Sequence, residues 1–375
     1  MKHKKIVFLT GTRADFGKIK ALIQAIENHR DFEPHIFVTG MHLLHEYGYT
    51  LIEVERCGFK NIATYNNHTD EATMDLTLAK TINGFSEYIK ITEPDLIVVH
   101  GDRLEALAGA IVGSLNNTLV AHIEGGELSG TIDELIRHSV TKLSHVHFTS
   151  NDNAKKRLLQ MGELETSIFT IGSPDVDIMF SNNLPKLDVV KGYYQIDFTS
   201  YALAMFHPVT TEIDAIEENA NNFVDALIES SKNYVVIYPN NDLGSKHILD
   251  AYKKLVNNNR FKVFPSIRFE YFLTLLKNAN FIIGNSSAGI REAPYYGIPT
   301  VNIGNRQLKR ATSSEIINTS SEKSKILEAL KGLSNKVEVS NEIFGKGNSA
   351  ELFLNSLESQ NLWDINHQKQ FNDAY

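Results

Sequence analysis

Short apolar runs punctuate the first half of the chain: Ile6–Leu9, His35–Val38, Asp95–Val99, Thr118–Ala121, Val146–Thr149 and Ser167–Ile171. Continuous hydrophobicity over so few residues predicts strands buried on both faces of a parallel sheet. Between them, apolar residues fall at helical spacing over 18–27, 74–91, 103–115 and 153–161. Strand and helix alternate, which implies βαβ units. The alternation pauses around Ser181-Asn-Asn-Leu-Pro-Lys186, then restarts with Tyr201–Phe206, Tyr234–Tyr238, Phe261–Phe264, Phe281–Ile283 and Pro299–Ile303. The pattern predicts an α/β chain of two Rossmann-like, doubly wound domains with a cleft between them. Residues 1–180 form the first domain and 195–350 the second. Residues 351–375 form a C-terminal helix that packs back on the first domain, continuing an apolar pattern through Leu352, Leu354, Leu357 and Trp363.

Ligands of open α/β sheets bind beyond the carboxyl ends of the strands, so the residues following each apolar run are the ones to weigh. In the first half these are Gly11-Thr-Arg-Ala-Asp15, Thr39-Gly-Met-His42, His100-Gly-Asp-Arg103, His122-Ile-Glu-Gly-Gly-Glu127 and Ile171-Gly-Ser-Pro174. In the second they are His207-Pro-Val-Thr-Thr211, Pro239-Asn-Asn-Asp242, Gly284–Glu292 and Gly304-Asn-Arg306. Segment Gly284–Glu292 predicts a strand that ends in glycine and serines where a helix begins at once. Free N–H groups and the positive helix end there suit a diphosphate, with hydroxyls from Ser286 and Ser287. Glu292, further along that helix, suits the two hydroxyls of a ribose or is a plain surface carboxylate. Arg13 and, a turn later, Lys18 supply cations for a phosphate. Without a G-x-G-x-x-G fingerprint, a dinucleotide cofactor is not expected.

Asp102 and Glu124 end consecutive strands and are candidates for proton transfer. Asp133 has a structural reading that competes with a catalytic one: Thr131-x-x-Glu134 spells a capping box, and Asp133 with Arg137 spells an i,i+4 pair. His207 precedes proline at a strand end, where it either caps a turn or charges to hold a leaving phosphate. Asp175-Val-Asp177 has the D-x-D form of metal-dependent glycosyltransferases, but after Ser-Pro it reads as the start of the segment between domains. The fourteen histidines show no paired ligand spacing, and no metal or cofactor is expected.

Composition narrows the field. At 375 residues the chain exceeds what one hydrophobic core supports. With 42% hydrophobic and 22% charged residues it is ordinary globular material. A net charge of −8 gives no general attraction to nucleic acid or anionic membrane, so an anionic ligand needs a local cluster of basic groups. The single cysteine, Cys57, fits a reducing compartment. The basic start is followed by too short an apolar run for a signal peptide, and no stretch reaches the ~18 apolar residues of a membrane span. A cytoplasmic location is the expectation.

In this order, GTRADFGK, VTGMH, HGDRLEALAGA, HIEGGELSGTIDELIRH, SHVHFTSN, IGSPDVD, HPVTTE, YPNND, PSIRFEYF and IGNSSAGIREAPYYGIP run from about residue 5 to 310. In these segments the chain resembles the UDP-N-acetylglucosamine 2-epimerases, and more closely their hydrolysing branch that begins sialic acid synthesis. The resemblance implies a glycosyltransferase-B-like fold and conversion of UDP-N-acetylglucosamine and water to UDP and N-acetylmannosamine. It further implies that Asp102, Glu124 and Asp133 are the acid and base groups and that His207 supports the diphosphate. Arg13, Arg103, Ser286, Ser287, Glu292 and Arg306 match nucleotide-holding positions, with Asn240, Lys18 and Arg137 as further carry-overs. Relatives suggest a homodimer or homotetramer. Non-hydrolysing members have G-T-R-P-E and H-V-E-A-G-L-R where this chain has GTRAD and HIEGGELSG, which favours release of free sugar. Hydrolysing relatives that act on a 2,4-diacetamido-trideoxyhexose nucleotide are the nearest alternative, and a glycosyltransferase of the same fold is a more distant one.

Overall fold

The computed structural model describes residues 3–69, 73–129, 132–307, 316–333 and 344–373. They divide into two units, the first within Met1–Glu127, Asp133–Ser181 and Ile343–Tyr375, the second within Leu128–Ile132 and Asn182–Glu342.

In chain order the first unit comprises β1 (Lys4–Thr10), α1 (Arg13–Glu27), β2 (Phe32–Val38), α2 (Leu51–Glu55), β3 (Ile62–Thr64), α3 (Met74–Thr92), β4 (Leu96–His100), α4 (Leu104–Leu115), β5 (Leu119–Ile123), α5 (Ile132–Leu143), β6 (Val146–Thr149), α6 (Asp152–Gln160), β7 (Ile168–Thr170) and α7 (Pro174–Met179). The strands form one parallel sheet in the order β3-β2-β1-β4-β5-β6-β7. Its order reverses between β1 and β4, the switch point where doubly wound sheets leave a crevice beyond their strand ends. Asp175 and Asp177 lie in α7, inside this unit, and do not begin a connection between domains.

The second unit comprises α8 (Leu187–Tyr193), β8 (Ala202–Met205), α9 (Ile216–Glu229), β9 (Tyr234–Ile237), α10 (Ser245–Tyr252), β10 (Phe261–Phe264), α11 (Phe269–Lys277), β11 (Ile282–Gly284), β12 (Thr300–Ile303), β13 (Ile316–Thr319) and α12 (Lys323–Lys331). The sheet is parallel in the order β10-β9-β8-β11-β12-β13, with its switch point between β8 and β11. Gly284 ends β11 at φ +133, and a Cβ there would stand 1.8 Å from the Met205 carbonyl oxygen. Only glycine allows this approach to β8.

Two further helices, α13 (Ser349–Glu358) and α14 (Gln360–Trp363), return to the first unit. Asp177 accepts from the N–H groups of Ser349 and Ala350 at 2.9 and 2.8 Å, supplying the acidic cap that the start of α13 needs. The face that packs inward is carried by Phe353, Leu357 and Leu362, with Phe353 against the rings of Phe8 and Phe148. Leu352, Leu354 and Trp363 flank this face, so the inward stripe is rotated from the one that the apolar pattern picked out. From Asp364 to Asp373 the tail is not helical.

Candidate active site

In the first unit, Asp15 organises the turn after β1. Its carboxylate accepts from the Thr10 hydroxyl (2.6 Å) and from the N–H groups of Gly11 and Thr12 (3.0 Å each), while Thr12 and Asp15 close a capping box on α1. Buried His42 joins the same network, 3.1 Å from Thr10 Oγ1 and 2.9 Å from Thr50 Oγ1, and burial pushes its pKa down to about 4. The network holds Arg13 at the first position of α1. One turn on, buried Lys18 lies 3.3 Å from Asp175 and 3.8 Å from Glu124.

Asp102 and Glu124 follow the adjacent parallel strands β4 and β5. Arg137 of α5 ties them together: Nη2 donates to Asp102 Oδ2, and Nη1 donates to the Glu124 carbonyl oxygen at 2.6 Å. A planar guanidinium serves two acceptors in fixed directions from two nitrogens, where a lysine would have to reach both from one. The Glu124 side chain accepts from the Ser173 hydroxyl and lies 3.2 Å from His100 Nε2. Glu124 also has φ +64, a left-handed conformation that is uncommon for a residue with a Cβ and gathers at functional sites. Asp133 stands in the first turn of α5, four residues before Arg137 and half-buried. Thr131 of the expected capping box lies outside the described residues. Arg103 pairs with Glu105 at 3.3 Å.

The structure thus brings Asp102, Glu124, Arg137 and Lys18 into one cluster. Sequence reasoning missed its other members, His100, Ser173 and Asp175. His100 and Ser173 lie in strand-end motifs of the sequence, while Asp175 lies in the D-x-D segment that reads as a connection between domains; strand order alone decides that the segments after β4, β5 and β7 converge. Asp175 faces Lys18 and Asp177 caps α13, so both acids of the D-x-D segment have structural partners. Among the described residues, no group of three or more His, Cys, Asp or Glu is arranged to hold a metal ion.

In the second unit, His207 follows β8 and Asn285 follows β11, on either side of the switch point. Asn285 accepts from the His207 N–H (2.6 Å) and donates to the His207 carbonyl (2.8 Å), locking the two turns together. The Asn240 N–H donates to His207 Nδ1 at 3.0 Å. Nδ1 is therefore the acceptor, and the ring carries its proton on Nε2. In this geometry His207 presents Nε2–H as a donor. The Asn240 side chain donates to Asp242. Arg306 Nη1 and Gln307 Nε2 donate to the Asn285 carbonyl oxygen at 3.3 and 3.0 Å.

Segment 284–292 also differs from expectation. No α-helix follows β11. Ser286 caps a short 3₁₀ turn, Ser287–Gly289, by accepting from the Ala288 N–H, and Glu292 precedes a second one, Ala293–Tyr296. Short turns sum few peptide dipoles, so a helix macrodipole is not available here, and the polar resources are single N–H groups, hydroxyls and the buried Glu292 carboxylate. The closely placed proline and glycines, Gly289, Pro294 and Gly297, account for the interruption.

Known proteins resemble this chain over nearly its whole length. The sequence profile of the family described as UDP-N-acetylglucosamine 2-epimerase matches residues 24–358. A UDP-N-acetylglucosamine 2-epimerase of Neisseria meningitidis serogroup B is 47% identical over 375 residues, covering 99% of each chain. A hydrolysing UDP-N,N'-diacetylbacillosamine 2-epimerase of Legionella pneumophila is 32% identical, covering 93% of this chain and 94% of its own. The crystal structure of the Methanocaldococcus jannaschii UDP-GlcNAc 2-epimerase in complex with UDP-GlcNAc and UDP superposes with a TM-score of 0.81 at 25% identity, covering 94% of this chain and 99% of that one. With two parallel, doubly wound sheets of the glycosyltransferase-B type and a match that spans nearly its whole length, this chain belongs to the UDP-N-acetylglucosamine 2-epimerase family.

Proposed function

We propose that the chain is a hydrolysing 2-epimerase that converts UDP-N-acetylglucosamine and water to N-acetylmannosamine and UDP. The observation that carries this reading is the tethering of the Asp102 and Glu124 segments to one buried arginine, with Lys18 beside Glu124. The sugar C2 proton is not next to a carbonyl, so no side-chain base removes it cheaply from the ground state. Cleavage of the C1–O bond must lead. The bonding pair leaves with UDP, positive charge grows at C1, and the C2 proton becomes acidic. A carboxylate takes that proton and a 2-acetamidoglucal remains. Water then adds across the double bond, hydroxyl to C1 and proton to C2 on the opposite face, which inverts C2 and frees the sugar.

Asp102, Glu124 and Asp133 supply the proton-transfer groups. His207 Nε2–H in the second unit and Arg13 in the first are each a donor suited to the charge on a departing diphosphate, where preorganised donors count most. Arg103, Asn240, Ser286, Ser287, Glu292 and Arg306 hold the nucleotide, while Lys18 and Arg137 position carboxylates. Residues 1–180 carry the acid–base groups, 195–350 the nucleotide grip, and 351–375 the returning tail. The active form is a cytoplasmic homodimer or homotetramer. No helix among the described residues is long and apolar enough to cross a membrane.

Proton NMR of the products in D₂O tests the reading. N-acetylmannosamine carrying deuterium at C2, released with UDP, is expected. An epimerised sugar still joined to UDP, or free N-acetylglucosamine without deuterium, would overturn it. The 32% identical Legionella relative gives one specific alternative, and turnover of UDP-N,N'-diacetylbacillosamine with none of UDP-N-acetylglucosamine would select it.

A further inference from the structure

One buried imidazole lies on the segments that carry all three proposed carboxylates. His122 is the fourth residue of β5, wholly enclosed, two residues before Glu124. Its Nε2 donates to the carbonyl oxygen of Gly101, the residue before Asp102, at 2.8 Å. A carbonyl only accepts, so the proton sits on Nε2 and Nδ1 is left as an acceptor. Nδ1 lies 3.1 Å from the Thr141 hydroxyl, which donates to it from α5, the helix of Asp133 and Arg137. Burial drives the His122 pKa down to about 3, with Arg137, His147 and His100 adding to the same effect, so the ring stays neutral in this one tautomer. Gly125 keeps its place clear: a Cβ there would stand 2.9 Å from His122 Nδ1 and 3.3 Å from Thr141 Oγ1.

We infer that His122 is a positioning residue for proton transfer: by bridging Gly101 and Thr141 it sets the Asp102 turn and the Asp133 helix against the strand that ends in Glu124. A histidine that merely filled the core would also be buried, but it would not need both nitrogens engaged by the two elements that flank Glu124. Reacting groups must be held to a fraction of an ångström, so loosening either bridge disturbs chemistry before binding. The inference rests on the proposed roles of the carboxylates.

The test compares Thr141→Val, which deletes the hydroxyl at nearly constant volume, with Thr141→Ser, which keeps it, and with His122→Asn. Active sites are counted by UDP titration so that loss of folded protein does not enter kcat. Thr141→Val and His122→Asn are expected to lower kcat about tenfold or more with UDP affinity within about twofold, and Thr141→Ser to restore it. Two further readouts do not depend on enzyme concentration: the isotope effect with C2-deuterated UDP-N-acetylglucosamine, and the fraction of glycal released in place of N-acetylmannosamine. At least one of them is expected to shift about twofold. If both stay at wild-type values, His122 is only structural and the inference falls, whatever kcat does. Asp102→Asn separates the two levels. Wild-type turnover in that variant removes the carboxylate reading itself, whereas its inactivity beside a normal Thr141→Val removes only the role of His122.

Discussion

Replacing Arg137 by lysine tests the cluster most directly. The guanidinium spends Nη2 on Asp102 and Nη1 on the Glu124 carbonyl, and the side chain is 2% exposed. A lysine ammonium in the same space reaches one of these acceptors, so one charge-assisted hydrogen bond is lost. Such a bond is worth about 1.5–3 kcal/mol. If the loss falls on Glu124, a buried carbonyl is also left unsatisfied. If it falls on Asp102, whose side chain is 19% exposed, water recovers part of the loss. Because the acceptors belong to groups proposed to act in the barrier rather than in binding, the cost should appear in kcat as a fall of roughly ten- to a hundredfold. UDP affinity by calorimetry should stay within about threefold, since a uniform loss of binding is not at issue. Steady-state release of UDP, with the sugar product followed by NMR, measures the first quantity. A lysine variant with kcat within about threefold of wild type would refute the view that two fixed donors are needed.

Other outcomes follow from the same geometry. Glu292→Ala and Ser286→Ala should mainly weaken UDP binding while Asp102→Asn mainly lowers turnover; an equal loss of UDP affinity in Asp102→Asn would undo that division of roles. Gly284→Ala places a Cβ 1.8 Å from the Met205 carbonyl oxygen at φ +133, so it should cost about 3 kcal/mol or more, and an unchanged melting temperature would contradict the packing. Lowered histidine pKa values make stability depend on pH: His42 and His122 fall from 6.5 to about 4 and about 3, so the unfolded chain binds more protons than the native one below pH 6.5. Their contribution is complete above pH 6.5 and is lost as pH falls towards 4 and then 3, at up to about 1.4 kcal/mol per pH unit for each ring. Urea midpoints should drop between pH 7 and pH 5, and a flat profile would refute neutral burial of these rings.

Much of the architecture was legible because buried parallel strands are short unbroken apolar runs, and because ligand chemistry of such sheets gathers at their carboxyl ends. Every run named from the sequence is a strand, and each candidate residue follows one or lies a turn or so into the next element. Two strands left no such trace. Ile62–Thr64 and Ile316–Thr319 sit at the outer edges of their sheets, half-exposed, where continuous hydrophobicity is not required. The helix expected after Gly284 did not form because proline and glycine spacing favoured short turns, a local signal that the serine-rich strand end outweighed in reading.

What no local pattern holds is which strand ends meet. From the sequence Arg137 reads as the partner of Asp133 four residues away, whereas in the structure its guanidinium serves Asp102, 35 positions earlier, and the carbonyl of Glu124. Lys18 meets Asp175, and Asp177 caps a helix 172 residues further on. The tautomers of His207 and His122 are set in the same way, by a backbone N–H of Asn240 and a carbonyl of Gly101. Sequence periodicity encodes burial and element type, since both depend on neighbours a turn or a pleat away. Pairings across the sheet depend on strand order and on crossover paths, and these are decided only when the whole domain packs.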